Sequence, residues 1–195
     1  MICHYLASCL VLDFIPKFLS GFGAPTTNSE VDESFAQIFN SLKAVERLNM
    51  QTIILWPNSD AGSEQISKAI RRWQKEYTRN AIRFYRNLPP EVYLRLMDLT
   101  ACLVGNSSSA LREGSFLGTP AVNIGNRQSG REHGRNILFS EYSTEAIKVA
   151  VERQVNHGKF DSDDLYGDGF AGIKMADILA NIGDISTQKQ LKFSP

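Results

Sequence analysis

Three polar stretches carry the side chains able to do chemistry. The first is Gly105-Asn106-Ser107-Ser108-Ser109, which follows an apolar run and opens a helical pattern. Small residues let backbone N–H groups approach a ligand closely, and serine hydroxyls donate to phosphate oxygens. A helix start adds unsatisfied N–H groups and the positive end of the dipole. The same residues also fit a plain serine N-cap with no ligand. Glu113 stands four residues after Ser109, one turn further along the same helical face. A carboxylate there accepts hydrogen bonds from vicinal ribose hydroxyls, as acidic residues do in dinucleotide-binding folds. A solvated glutamate paired with Arg112 fits the same position.

The second stretch, residues 125–136, places Arg127, Arg131, His133 and Arg135 among glycines and polar residues. Guanidinium forks of this kind hold a diphosphate, and they also occur on solvated loops. His133 has no nucleophile partner in view and reads as a loop histidine. The third stretch is the turn Pro57–Ser63.

The elements that must position these loops follow from periodicity. Phe35, Ile38, Phe39, Leu42 and Val45 recur at helical spacing, as do Ile66, Ala69, Ile70 and Trp73. Short helices are expected over 91–99 and 108–117, and further ones over 144–155 and 170–182. Apolar runs at 51–56, 82–86, 101–105, 121–124 and 136–139 read as strands. Strands alternating with helices at these intervals imply an α/β chain with a parallel sheet covered on both faces. Ligands of such sheets bind outside the carboxyl ends of the strands, where all three polar stretches fall.

Bulk composition narrows the function classes. The 195 residues suffice for one sizeable core. Lys+Arg and Asp+Glu each total 21, so a nucleic-acid partner is not expected, and anion binding must be local. Cys3, Cys9 and Cys102 form no C-x-x-C pair, which fits a reducing, cytoplasmic setting. The histidines are too scattered for a metal site, and no motif calls for a cofactor. The apolar first 20 residues lack a basic start, carry Asp13 and are broken by Pro16, which argues against a signal peptide or a membrane span.

Taken together, several pieces resemble the UDP-N-acetylglucosamine 2-epimerases. They are Gly105-Asn106-Ser107-Ser108, Arg112-Glu113, Gly118-Thr119-Pro120 and Gly125-Asn126-Arg127-Gln128-x-Gly130-Arg131-Glu132. Pro57-Asn58-x-Asp60-Ala61-Gly62-Ser63 and Tyr166-Gly167-Asp168-Gly169 match the hydrolysing branch, and the similarity runs from about Thr52 to Ile182. The Glu113-x-x-x-x-Gly118-x-Pro120 piece is shared with glycosyltransferases, whereas the 125–132 loop is more specific.

The resemblance implies a Rossmann-like nucleotide-binding domain, the C-terminal half of a glycosyltransferase-B-type fold, with UDP or UDP-GlcNAc as ligand. It implies that Ser107 and Ser108 meet the diphosphate and Glu113 the ribose. Arg127 and Asn58 complete the site, Leu88 lies against uracil, and Asn106 and Arg131 are further candidates. The family's acidic catalytic residues belong to an N-terminal domain with no counterpart here, so no catalytic residue is assigned. A homo-oligomer or a separate N-terminal domain is the partner expected alongside UDP or UDP-GlcNAc.

The expected boundaries are a poorly matched segment 1–28, the Rossmann-like domain 29–185 and a tail 186–195. One departure from the family is Gly23-Ala24-Pro25-Thr26-Thr27, where a histidine is usual; it sets residues 1–23 apart. A glycosyltransferase domain and a non-catalytic UDP-sugar-binding module are the alternative functions.

Overall fold

A computed structural model of the chain describes residues 18–21, 31–57, 63–77 and 82–183. It divides into two compact units, Met1–Leu165 and Tyr166–Pro195.

The first unit is built on a sheet of six strands: β1 Phe18–Gly21, β2 Thr52–Leu55, β3 Ile82–Tyr85, β4 Cys102–Gly105, β5 Ala121–Ile124 and β6 Ile137–Ser140. Their spatial order is β3-β2-β1-β4-β5-β6, and every neighbouring pair is parallel. Strand order reverses direction between β1 and β4, the switch point of a doubly wound sheet. Helices α1 Val31–Arg47, α2 Ser63–Glu76, α3 Pro90–Leu99, α4 Ser108–Leu111, α5 Glu113–Leu117 and α6 Thr144–His157 supply the crossovers and cover the faces.

Alternation along the strands sends neighbouring side chains into two separate cores. Ile54, Cys102, Val104, Val122 and Ile124 point to one face, where they meet Ile38, Leu42 and Val45 of α1. Ile66, Ile70 and Trp73 of α2 and Ile147 and Val151 of α6 complete that core. Ile53, Leu103 and Ala121 point to the other face and meet Leu96 and Met97 of α3 and Leu111 of α4. Of the stripes expected from spacing, Ile38, Leu42 and Val45 on α1 and Ile66, Ala69, Ile70 and Trp73 on α2 are buried, and Phe39 is half-buried against them. The Phe35 side chain lies outside the described residues. Trp73 stacks on Tyr77 with ring centroids 5.4 Å apart.

Two features depart from expectation. The segment set apart at the N-terminus contributes β1, which lies between β2 and β4 at the middle of the sheet. The single helix expected over 108–117 is two short ones, broken at Arg112 with φ −91° and ψ −78°. The break follows from one near and one distant side chain. Ser115 Oγ donates 2.6 Å to the Leu111 carbonyl, and Asn136 Nδ2 donates 3.3 Å to that of Ala110. Side chains thus take the acceptors that a continuous helix would offer to backbone N–H groups.

The second unit contains α7 Ala171–Asn181, preceded by a turn in which Asp168 accepts from the Phe170 N–H at 3.0 Å and pairs with Lys174 at 2.7 Å. Ile173, Met175, Ile178 and Leu179 of α7 are exposed. No helix of the described residues is long and apolar enough to cross a membrane.

The α2 stripe yields a stability prediction. Trp73 is 1% exposed at the centre of the first core. Trp73→Ala should lower unfolding free energy by about 3–5 kcal/mol, the range for deleting a large buried aromatic. Urea denaturation followed by circular dichroism checks it.

Candidate functional site

All strands of the sheet run the same way, so the loops after β3, β4 and β5 emerge along one edge. Two of the three chemically interesting stretches, 105–109 and 125–136, are described there. Asn58 lies outside the described residues, as does most of its turn.

The serine loop begins where β4 ends. Gly105 has φ 147° and Asn106 is buried. Ser107 is the N-cap of α4, and its Oγ accepts a long, 3.4 Å bond from the Ser109 N–H. The hydroxyls form a chain, with Ser107 Oγ 2.8 Å from Ser109 Oγ and Ser109 Oγ 2.6 Å from the Tyr93 hydroxyl of α3. Tyr93, Ser107 and Ser109 line a small cavity with Gly105 and Ala110. Only one helical turn follows Ser107, so its N–H groups and hydroxyls matter more to an anion than a macrodipole does.

Glu113 opens α5 immediately after the break. Its Oε2 is buried and has no hydrogen-bond partner among the described residues. A buried carboxylate oxygen without a donor is costly, and such orphans call for an incoming donor group. The Tyr93 phenol is pushed above its usual range, chiefly by burial. The bond to Ser109 pulls it back, and the Glu113 carboxylate adds to the upward push. That coupling places Glu113, Tyr93 and the serines in one electrostatic neighbourhood.

The arginine loop joins parallel neighbours β5 and β6 with no helix between them. It starts at Gly125, whose φ of 76° suits glycine, and a Cβ there would stand 2.1 Å from the Tyr142 hydroxyl. It ends at Asn136, 2% exposed. Asn136 Nδ2 donates to the Thr119 carbonyl at 2.8 Å, and its Oδ1 lies 2.8 Å from Ser115 Oγ, sharing that hydroxyl's one hydrogen with the Leu111 carbonyl. Gln154 of α6 donates to the carbonyls of both Ala121 and Asn136. Midway, Gln128 donates from Nε2 to the Asn106 carbonyl at 2.7 Å. Arg127 is half-buried beside it, whereas Arg131 and His133 are exposed. His133 rests edge-on against Phe139, which accounts for it without chemistry.

Leu88 is half-buried against the second core, and its N–H donates to Asn87 Oδ1 at 2.9 Å. A base placed against Leu88 would compete for that N–H or use the carbonyl. The Gly118-Thr119-Pro120 piece is architectural: Gly118, φ 65°, ends α5, and a Cβ there would meet the Phe160 carbonyl at 2.1 Å. Cys102 is fully buried, and burial pushes its thiol up, so it packs and stays protonated.

Thus Ser107, Ser108, Glu113, Asn106 and the start of the arginine loop are gathered at one sheet edge. Ser109 and Gln128, seen in sequence only as members of their stretches, join them, as do Tyr93 and Asn136, which the sequence did not single out. Among the described residues no group of histidine, cysteine and carboxylate side chains is arranged to hold a metal.

Against this geometry the family comparison is decisive. The family profile for UDP-N-acetylglucosamine 2-epimerase matches residues 23–180. The chain belongs to the UDP-N-acetylglucosamine 2-epimerase family. It is 31% identical over 153 residues to the UDP-N-acetylglucosamine 2-epimerase of Neisseria meningitidis serogroup B, covering 77% of this chain and 38% of that protein. It is 28% identical to the UDP-N,N'-diacetylbacillosamine 2-epimerase (hydrolyzing) of Legionella pneumophila, covering 78% of this chain and 40% of that one. The solved structure of UDP-GlcNAc 2-epimerase from Neisseria meningitidis bound to UDP-GlcNAc superposes with a TM-score of 0.62 at 13% identity, over 86% of this chain and 45% of that chain. The fold is therefore the C-terminal half of the glycosyltransferase-B type, and the chain spans about two fifths of the length of these epimerase relatives.

The Tyr93 hydroxyl makes a prediction of its own. A phenol raised in the folded state keeps its stabilising effect below the unfolded tyrosine range and loses it as pH climbs towards the folded value. Among the six tyrosines, Tyr93 should ionise later than exposed ones. Tyr93→Phe should remove a late step from the phenolate absorbance titration of the folded protein. An unchanged titration would place Tyr93 among the ordinary tyrosines.

Proposed function

We propose that this chain is the nucleotide-gripping half of a UDP-GlcNAc 2-epimerase of the hydrolysing type. The ligand is UDP or UDP-GlcNAc, and the observation that carries the reading is the buried, partnerless Glu113 Oε2 beside the capped serine turn, in a chain of this family. A nucleoside diphosphate offers what the edge lacks on each side. Its phosphate oxygens accept from serine hydroxyls and helix-start N–H groups, and its ribose hydroxyls donate to a carboxylate.

In this reading Ser107 and Ser108 meet the diphosphate and Glu113 takes the ribose. Arg127 supplies a guanidinium, with Asn58, Asn106 and Arg131 as further contacts and Leu88 lying against the base. The nucleotide-binding domain is taken as residues 29–185 completed by β1 from the segment before them, with 186–195 as a tail.

The reaction that such a grip serves is elimination. A base takes the proton from C2 of the sugar, the C1–O bond breaks, and its electron pair leaves on UDP. Water then adds across the resulting glycal to release N-acetylmannosamine. The leaving diphosphate gathers negative charge as the bond breaks, and donors preset at its position lower that barrier. Serine hydroxyls, backbone N–H groups and Arg127 are the donors this chain contributes. The proton-abstracting base is assigned to the other half of the enzyme. The match of the 125–132 loop and the 28% identity to a hydrolyzing relative favour water as the final nucleophile.

Calorimetry with UDP tests the grip, and an N-acetylmannosamine assay on the same preparation tests turnover. UDP should bind, with no product from the chain alone. Glu113→Ala and Arg127→Ala should each weaken UDP by about 1–3 kcal/mol, the value of a charge-assisted bond. Unchanged affinity in both variants would sink the site assignment.

A further inference from the structure

The arginine loop is mostly outward-facing. From residue 125 to 133 the only buried side chain is Gln128, 2% exposed, and it points back beneath the loop. Its Nε2 donates 2.7 Å to the main-chain carbonyl of Asn106, the residue before the Ser107 cap. One amide therefore links the loop that carries Arg127 to the loop that carries the serines. Two turns hold Gln128 in this orientation, with the Ser129 N–H on the Asn126 carbonyl at 2.8 Å and the Arg131 N–H on the Gln128 carbonyl at 3.3 Å. Arg127 is one planar peptide away, so the depth of Gln128 sets where the Arg127 backbone sits.

The bond is sealed from water. Asn106 is buried, and Asn123, 1% exposed, stands on the strand position paired with Gly105. In such surroundings an amide–carbonyl bond is stronger than at the surface, and losing it costs correspondingly more. Only a side chain with both reach and an N–H donor fills the role. Glutamate would set acceptor against acceptor, asparagine would fall short, and an apolar side chain would withdraw the donor that ties the two loops.

We propose that Gln128 is a positioning residue that holds Arg127 in register with the Ser107–Ser109 turn, so that two separate loops close on one diphosphate. It rests on the UDP-binding reading above, and Gln128 itself need not touch the ligand.

A double-mutant cycle on the full chain tests it, with UDP as probe. The proteins are wild type, Gln128→Met, Arg127→Ala and the double variant, each checked for folding by circular dichroism and melting temperature. Gln128→Met should weaken UDP about tenfold in the wild-type background and less than about twofold when Arg127 is already alanine, because acting through a partner makes losses non-additive. Additive losses would overturn the inference and leave Gln128 a merely structural residue. Should Gln128→Met fail to fold, Gln128→Asn, still polar but too short to reach Asn106, replaces it with the same expectation. A wild type that takes up no UDP overturns the function reading, and this inference with it. UDP binding that falls on Arg127→Ala alongside an additive cycle overturns the inference by itself.

Discussion

Parallel pairing of β5 with β6 is the constraint on which the site depends. A parallel neighbour cannot be reached by a tight turn, so the chain must travel back along the sheet before it re-enters. Elsewhere helices make that journey. Here residues 125–136 make it without one, and their backbone polar groups need partners that regular structure would have supplied. The buried amides answer that need. Asn136 anchors the return to Thr119 and Ser115, and Gln154 clamps the carbonyls of Ala121 and Asn136 from α6. Gln128 secures the middle on Asn106. A polar, arginine-bearing loop is thereby held at the carboxyl edge of the sheet by bonds from side chains.

The same amides account for the broken helix next to it. Asn136 and Ser115 draw on the carbonyls of Ala110 and Leu111, and the helix restarts at Glu113. Glu113 is consequently a helix-start residue, with its carboxylate near Tyr93 and the serines. Loop anchoring and site shape are thus one piece of construction.

Much of this was legible in sequence because helical spacing and strand-length apolar runs are local signals. Ile66, Ala69, Ile70 and Trp73 announced a buried face and have one, and the strands from β2 to β6 stand within a residue or two of their apolar runs. The serine loop and Glu113 were legible through residue type. What stayed hidden depends on distant partners. The break at Arg112 follows from Asn136, far along the chain. Gln128 reads as one more polar loop residue until Asn106 is seen beneath it. Tyr93 reads as a core aromatic until its hydroxyl meets Ser109. β1 was obscured differently: the whole N-terminal stretch is apolar, so no change of period marks where a strand begins. Asn58 stands outside the described residues.

The hydroxyls of Tyr93, Ser109 and Ser107 form a row with Ser109 at its centre, and either atom of each pair can hold the proton. Such a row has two senses. If Tyr93 gives to Ser109 and Ser109 to Ser107, the Ser107 hydrogen is released to point outward and the row ends in a donor. Reversed, the row draws that hydrogen inward and ends in a lone pair. An anion arriving at Ser107 selects the first sense and a hydroxyl-bearing ligand the second, with no heavy atom moving. All three hydroxyls keep their hydrogens at neutral pH, so the edge can re-polarise to suit the charge of what it meets.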